Sequence, residues 1–90
     1  ALYHAWCVLS AAGTQTLWKT AAQQLQSLGV DQKAFHQYVK QISENYLKDP
    51  QNALTGPWVR KDQDTIEKNL QALSNSQAKQ LYQLLMKGIL

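Results

Sequence analysis

An all-α fold is predicted, a helical bundle in which one long N-terminal helix supports three shorter ones. Three observations carry this. Apolar residues recur at three- and four-residue spacing, and no useful length of chain alternates as a strand would. Punctuation at Gly29, Asp49-Pro50, Gly56-Pro57 and Ser74-Asn75-Ser76 divides the chain into four helical pieces and one irregular connection.

The first piece runs from about Leu2 to Leu28, with Gly29 placed as its C-terminal cap. Leu2, Trp6, Leu9, Gly13, Leu17, Ala21, Leu25 and Leu28 lie near one stripe, while Tyr3, Val8, Ala11 and Ala12 make the N-terminal half apolar on its other side too. Gly13 weakens a helix interior by about 1 kcal/mol relative to alanine unless something packs closely against it. Asp31 is placed to cap the second helix, with Val30 and Phe35 as a hydrophobic staple. Phe35, Tyr38, Val39, Ile42 and Tyr46 follow at helical spacing until Asp49-Pro50 ends the run. Asp62 is the expected cap of a third helix that turns Ile66, Leu70 and Leu73 inward. Ser74 with Gln77 has capping-box spacing for a fourth, which carries Ala78, Leu81, Tyr82, Leu85 and Ile89 inward and Lys79 and Lys87 outward.

Ninety residues make one domain at most, so the expected organisation is a single helical domain over residues 1–90. The net charge of +3 is too small and too scattered to argue for nucleic acid. Lys33, Lys40 and Lys48 recur along one face of the second helix without an interleaved aromatic row, which reads as a solvated surface. One cysteine, Cys7, excludes an internal disulfide, and with only His4 and His36 beside it no metal site is expected. The first eighteen residues carry no Asp, Glu, Lys or Arg but are too polar for a membrane span, and a signal-peptide pattern is lacking. A chain beginning at Ala1 reads as a fragment or a processed product, and a cytoplasmic location is expected.

Three short helices with about one inward stripe each cannot cover a helix apolar nearly all round. Part of the first helix is therefore expected to face a second copy or a domain outside this chain, with Leu2, Trp6, Leu9 and Gly13 as interface candidates.

Residues 52–65, Asn-Ala-Leu-Thr-Gly-Pro-Trp-Val-Arg-Lys-Asp-Gln-Asp-Thr, are the only stretch dense in site-like chemistry. Thr55 offers a hydroxyl, Gly56 permits close backbone approach, Pro57 stiffens the turn, and Arg60 is the sole arginine. A guanidinium grips carboxylate or phosphate through paired hydrogen bonds, so the set suits a small anionic ligand. The competing reading is ordinary helix-entry chemistry, with Arg60 paired to Asp62 or Asp64.

His4 has two readings as well: a donor to substrate, or a partly buried histidine satisfied by backbone or water. His36 reads as solvated, and Cys7 as a small core residue. Trp6 and Trp18 are expected in a core or protomer interface, whereas Trp58 either lines a pocket or covers an end of the bundle. No glycine-rich phosphate loop, His-Glu-x-x-His or nucleophile elbow occurs in the ninety residues, so no self-sufficient catalytic set is present.

The run Ala53-Leu54-Thr55-Gly56-Pro57, followed by Arg60, Asp62, Thr65, Ile66, Leu70, Ala72 and Leu73, resembles a particular domain. This is the helical C-terminal domain of unknown function that follows a Rossmann-like NADP-binding domain in a bacterial oxidoreductase-like family. Tyr3-His4-Ala5, Val8 and Leu81-Tyr82 extend the likeness over essentially the whole chain. That family is similar in plan to pyrroline-5-carboxylate reductase, ketopantoate reductase and the 6-phosphogluconate dehydrogenase group. In those enzymes a helical domain dimerises and closes the substrate side of a cleft.

The resemblance implies a homodimer and an N-terminal nucleotide-binding domain that carries NADP, with no cofactor held by this segment alone. It implies a substrate site to which Thr55, Gly56, Pro57, Arg60 and His4 contribute, while Asp31, Asp62, Thr65 and Ser74 serve structure as helix caps. The isolated chain is then not an enzyme, although the parent is an NADP-dependent reductase in this reading. Ala11-Ala12 stand where the family usually has Ser-Asn, Lys61 where it has glycine and Asn69 where it has histidine, departures that bear on catalysis and not on the fold. A stand-alone helical interaction module without enzymatic role is the alternative expectation.

Overall fold

A computed structural model of the chain describes residues 1–88. They are all-α, as predicted, with five helices: α1 (Leu2–Ser27), α2 (Gln32–Lys48), α3 (Pro57–Arg60), α4 (Gln63–Ala72) and α5 (Ser76–Lys87). The fifth is the difference from the expected four. What reads in sequence as an irregular connection contains the one-turn helix α3, because Pro57 is already set to the helical φ and lacks only an N–H that the first turn leaves unpaired. Ile89, expected to point inward, lies outside the described residues.

The chain forms two compact units, residues 1–45 and the residues from Tyr46 on. In the first, α1 rises about 39 Å at the α-helical pitch. It ends in a glycine cap as predicted: Gly29 has φ 87°, its N–H donates to the Gln26 carbonyl at 3.0 Å, and Val30 N–H donates to Leu25 at 2.9 Å. This paired closure satisfies two carbonyls that the helix end would otherwise leave to water. Asp31 then starts α2, its Oδ1 accepting from Lys33 N–H at 3.0 Å and its carbonyl from Ala34 and Phe35. Gln32 Nε2 donates to the Ala22 carbonyl at 3.2 Å, which ties the start of α2 back to the last turns of α1. Phe35 is buried, and Trp18, Ala21, Ala22, Leu25 and Val39 are half-buried.

In the second unit the core centres on Ile66 of α4, only 4% exposed, with Leu70, Leu73, Ala78, Tyr82 and Leu85 half-buried. Asp62 caps α4 as expected. The cap of α5 is Asn75 and not Ser74: Asn75 Oδ1 accepts from Ala78 N–H at 3.0 Å and its carbonyl accepts from Lys79. Helix entry one residue later than the Ser74-Gln77 pattern suggests uses an amide oxygen, which binds the free amides of the first turn at least as well as a hydroxyl. Four stripe positions of α2 and α5 are more open than their spacing implies. Tyr38, Ile42 and Tyr46 are exposed, and Leu81 is 40% exposed. Lys79, expected outside, is half-buried.

No residue of α1 is buried. Leu2, Tyr3, Trp6, Val8 and Leu9 are all exposed, from 47% at Trp6 to 84% at Tyr3, so the uncovered apolar surface expected of the first helix is present on several sides of its N-terminal half. Cys7 is exposed and not a core residue, and its helix neighbours Trp6 and Val8 are exposed with it. Gly13 has open space where a side chain would stand, with nothing within 4 Å, so no close contact among the described residues accounts for it.

The reassigned cap can be checked by mutation. Asn75→Ala is expected to cost about 1 kcal/mol of stability, and Ser74→Ala nearly nothing. Urea unfolding followed by circular dichroism separates the two, and the opposite order would return the cap to Ser74.

Candidate functional site

The loop and one-turn helix from Thr55 to Lys61 are shaped by three backbone constraints. Gly56 adopts φ 102° and ψ −168°, a region open essentially to glycine alone, and so turns the chain sharply into Pro57. After one turn Lys61 takes the left-handed conformation, φ 57° and ψ 42°, with its N–H donating to Trp58. Asp62 N–H then donates to the Pro57 carbonyl at 3.0 Å. That closure ends α3 and aims the chain into α4, and α3 packs against α4.

Lys61 is the only non-glycine with positive φ among the described residues. A side chain in the left-handed region costs on the order of 1 kcal/mol, so Lys61 holds a conformation that glycine would adopt with less strain.

Asp62 is the electrostatic hub. Its Oδ2 accepts from the Thr65 hydroxyl at 2.8 Å and its Oδ1 from Thr65 N–H at 3.2 Å. The Thr65 hydroxyl and then the Thr65 backbone N–H hold the Asp62 carboxyl below its ordinary range, with smaller help from Arg60 and Lys68. Both Asp62 and Thr65 thus serve the helix cap, as the sequence implied. Arg60 approaches Asp62 with one guanidinium nitrogen at 3.8 Å, longer than a hydrogen bond, and its side chain is 62% exposed. Such a pair contributes little to stability. It realises the structural reading of Arg60 while leaving the guanidinium facing water.

Trp58 does not lie in irregular chain: it is in α3, half-buried, with its ring edge-on to Tyr82 at 5.0 Å between centroids and 87° between planes. Tyr82 in turn accepts from Asn69 Nδ2 at 3.1 Å. Trp58 therefore covers one end of the second unit. Sequence reasoning did not link Trp58, Tyr82 and Asn69; only the stripe position of Tyr82 hinted that it packs.

Thr55 and Arg60 are exposed and Gly56 and Pro57 half-buried, and the four are brought together in the second unit by the turn itself. His4 belongs to the first unit and is exposed like the rest of the first turns of α1, so the expected partly buried histidine is not what forms. The first unit also has a shallow groove of about 270 Å³, lined by Trp18, Lys19, Ala22, Phe35, His36 and Val39. His36 is exposed at its edge, as expected of a solvated histidine. The described residues contain no group of three or more His, Cys, Asp or Glu able to hold a metal ion, and none of their helices is long and apolar enough to cross a membrane.

Two outcomes check the loop. Lys61→Gly is expected to raise stability by about 0.5–1 kcal/mol by removing left-handed strain, measured as a higher urea midpoint; a lower midpoint would remove the strain argument. The lowered Asp62 pKa means its contribution is present above the unfolded carboxyl value near 4 and disappears as pH falls through the lower folded value. Thermal unfolding from pH 6 to 2 is expected to show a smaller acid loss in Asp62→Asn than in wild type, and equal slopes would contradict it.

Comparison with curated proteins and with solved structures gave no match. A family model described as "Domain of unknown function (DUF2520)" matches residues 1–89. With nearly every residue matched, the turn at Gly56 and the uncovered first helix are features of a chain that belongs to the DUF2520 family.

Proposed function

We propose that this chain is the helical dimerisation and substrate-side domain of a Rossmann-like, NADP-dependent bacterial oxidoreductase of the cytoplasm, and that it is inactive by itself. The observation that carries this reading is the N-terminal half of α1, an uncharged helix with no buried residue and with Leu2, Tyr3, Trp6, Val8 and Leu9 exposed. A surface of that kind is stable in water only when something else covers it. In a two-domain reductase, a second protomer and the nucleotide-binding domain would do so.

The loop supports the substrate-side part. Thr55 before the Gly56-Pro57 turn and Arg60 at the end of α3 are both exposed, a hydroxyl and a guanidinium suited to a small carboxylate or phosphate. NADP is assigned to a preceding domain with a glycine-rich phosphate turn, a motif the ninety residues do not contain. Hydride transfer would belong to that cofactor. This chain's residues would hold substrate and join the protomers.

A stand-alone interaction module is favoured by one observation: Arg60 pairs with Asp62, and Trp58 packs on Tyr82, so the loop has a complete structural role without a ligand. The two readings separate on the reading frame upstream of Ala1. About 150 residues with a strand, a Gly-x-Gly-x-x-Gly turn and a helix are expected there, in a product that binds NADPH by fluorescence titration. An initiator codon immediately before Ala1 would defeat the reductase reading. For the anion site, small carboxylates and inorganic phosphate are expected to bind the wild type at least several-fold tighter than Arg60→Ala. Equal affinity would eliminate Arg60.

A further inference from the structure

At 100° per residue, Leu2, Trp6, Leu9, Gly13 and Leu17 fall within about 80° of arc on α1. This face is open: Leu2 is 73% exposed, Trp6 47%, Leu9 53% and Leu17 45%, and a side chain at Gly13 would meet nothing within 4 Å. The face also has an internal symmetry. Counting outward from the midpoint between Leu9 and Ser10, Leu2 answers Leu17 and Trp6 answers Gly13. The largest side chain of the face thus stands opposite the one position with no side chain.

We infer that two copies of this chain pair through α1 in antiparallel fashion about a two-fold axis at Leu9–Ser10, the Trp6 indole of each protomer seated over Gly13 of the other. The inference rests on the dimer of the proposed function and specifies its contact. Isologous interfaces require one surface to be its own complement, and an antiparallel helix pair meets that requirement when its pattern reads the same from both ends. Large against small is how facing layers interdigitate without voids. A parallel pair would instead set Trp6 against Trp6 and leave a gap at the two Gly13 positions.

Charge and area fit a second copy as the occupant. Residues 1–18 contain no Asp, Glu, Lys or Arg, so the face meets its own copy without like-charge contact, whereas a charged partner would be desolvated against it with nothing to pair. At roughly 200 Å² for a large side chain, the exposed fractions of Leu2, Trp6, Leu9, Leu17 and the flanking Tyr3 leave about 600 Å² uncovered. A standard interface buries ~800 Å² per partner including its polar rim, so this face supplies most of what a stable dimer needs. The pairing also accounts for a glycine in mid-helix, where alanine would form the isolated helix better. Val8, on the opposite flank, stays outside the seam.

Sedimentation equilibrium of the wild type, Trp6→Ala, Gly13→Trp and the double variant Trp6→Ala/Gly13→Trp tests the contact, with helicity by circular dichroism as the folding control. The wild type is expected to dimerise, each single variant to weaken association about tenfold or more, and the double variant to recover it, because exchanging positions 6 and 13 rebuilds the same large-against-small pair. Antiparallel pairing requires this recovery, and a helical double variant that stays as weak as the singles would overturn it. A dimeric wild type whose affinity is untouched by Gly13→Trp would overturn this contact and leave the dimer standing. A monomeric wild type would remove both.

Discussion

The shortage of covering surface for α1 is the constraint from which the other properties follow. A helix about 39 Å long with apolar residues around its N-terminal half needs neighbours on more than one side. Within the first unit, α1 is packed near its C-terminal end, where Gln32 reaches Ala22 and Phe35 is buried. The N-terminal half is left to water, with Cys7, His4 and Trp6 exposed along it. Stability within the chain is correspondingly concentrated in a few places. Phe35 and Ile66 are the two buried apolar side chains among the described residues, and glycine and carboxamide caps do much of the remaining local work.

The loop at Thr55–Lys61 shows the same economy. One glycine with positive φ, one proline and one left-handed lysine turn the chain twice within seven residues, and the Asp62 cap with its two bonds from Thr65 fixes the start of α4. These interactions explain why the segment looks rich in chemistry even before any ligand is considered. They also define what a ligand would meet at Arg60: an exposed guanidinium loosely held by Asp62. Binding and helix entry are compatible uses of the same residues, because the long Arg60–Asp62 contact leaves the guanidinium mostly solvated.

Where reading and structure diverge, the cause is competition between local signals of similar strength. Ser74 and Asn75 are both good caps, and spacing to Gln77 favoured the wrong one by a single residue; the helix took the amide. Pro57 stiffens a loop, yet its fixed φ equally well opens a helix, and here it opens α3. Cys7 is of a type usually found in cores, but it lies on the exposed N-terminal half of α1. Tyr38, Ile42, Tyr46 and Leu81 keep helical spacing but belong to stripes too wide for so small a chain to bury.

From the amino-acid sequence alone came the all-helical class, the Gly29 closure, the Asp31 and Asp62 caps and the excess apolar surface of the first helix. Each of these is set by residues within a turn or two of one another, or by a simple count of apolar positions. Tertiary structure decided that Trp58 meets Tyr82, that Tyr82 meets Asn69, that Arg60 takes Asp62 in preference to Asp64, and that Gly13 faces open space. Those outcomes depend on how helices far apart in sequence are placed in space and on which rotamer a long side chain adopts, and neither is encoded in periodicity.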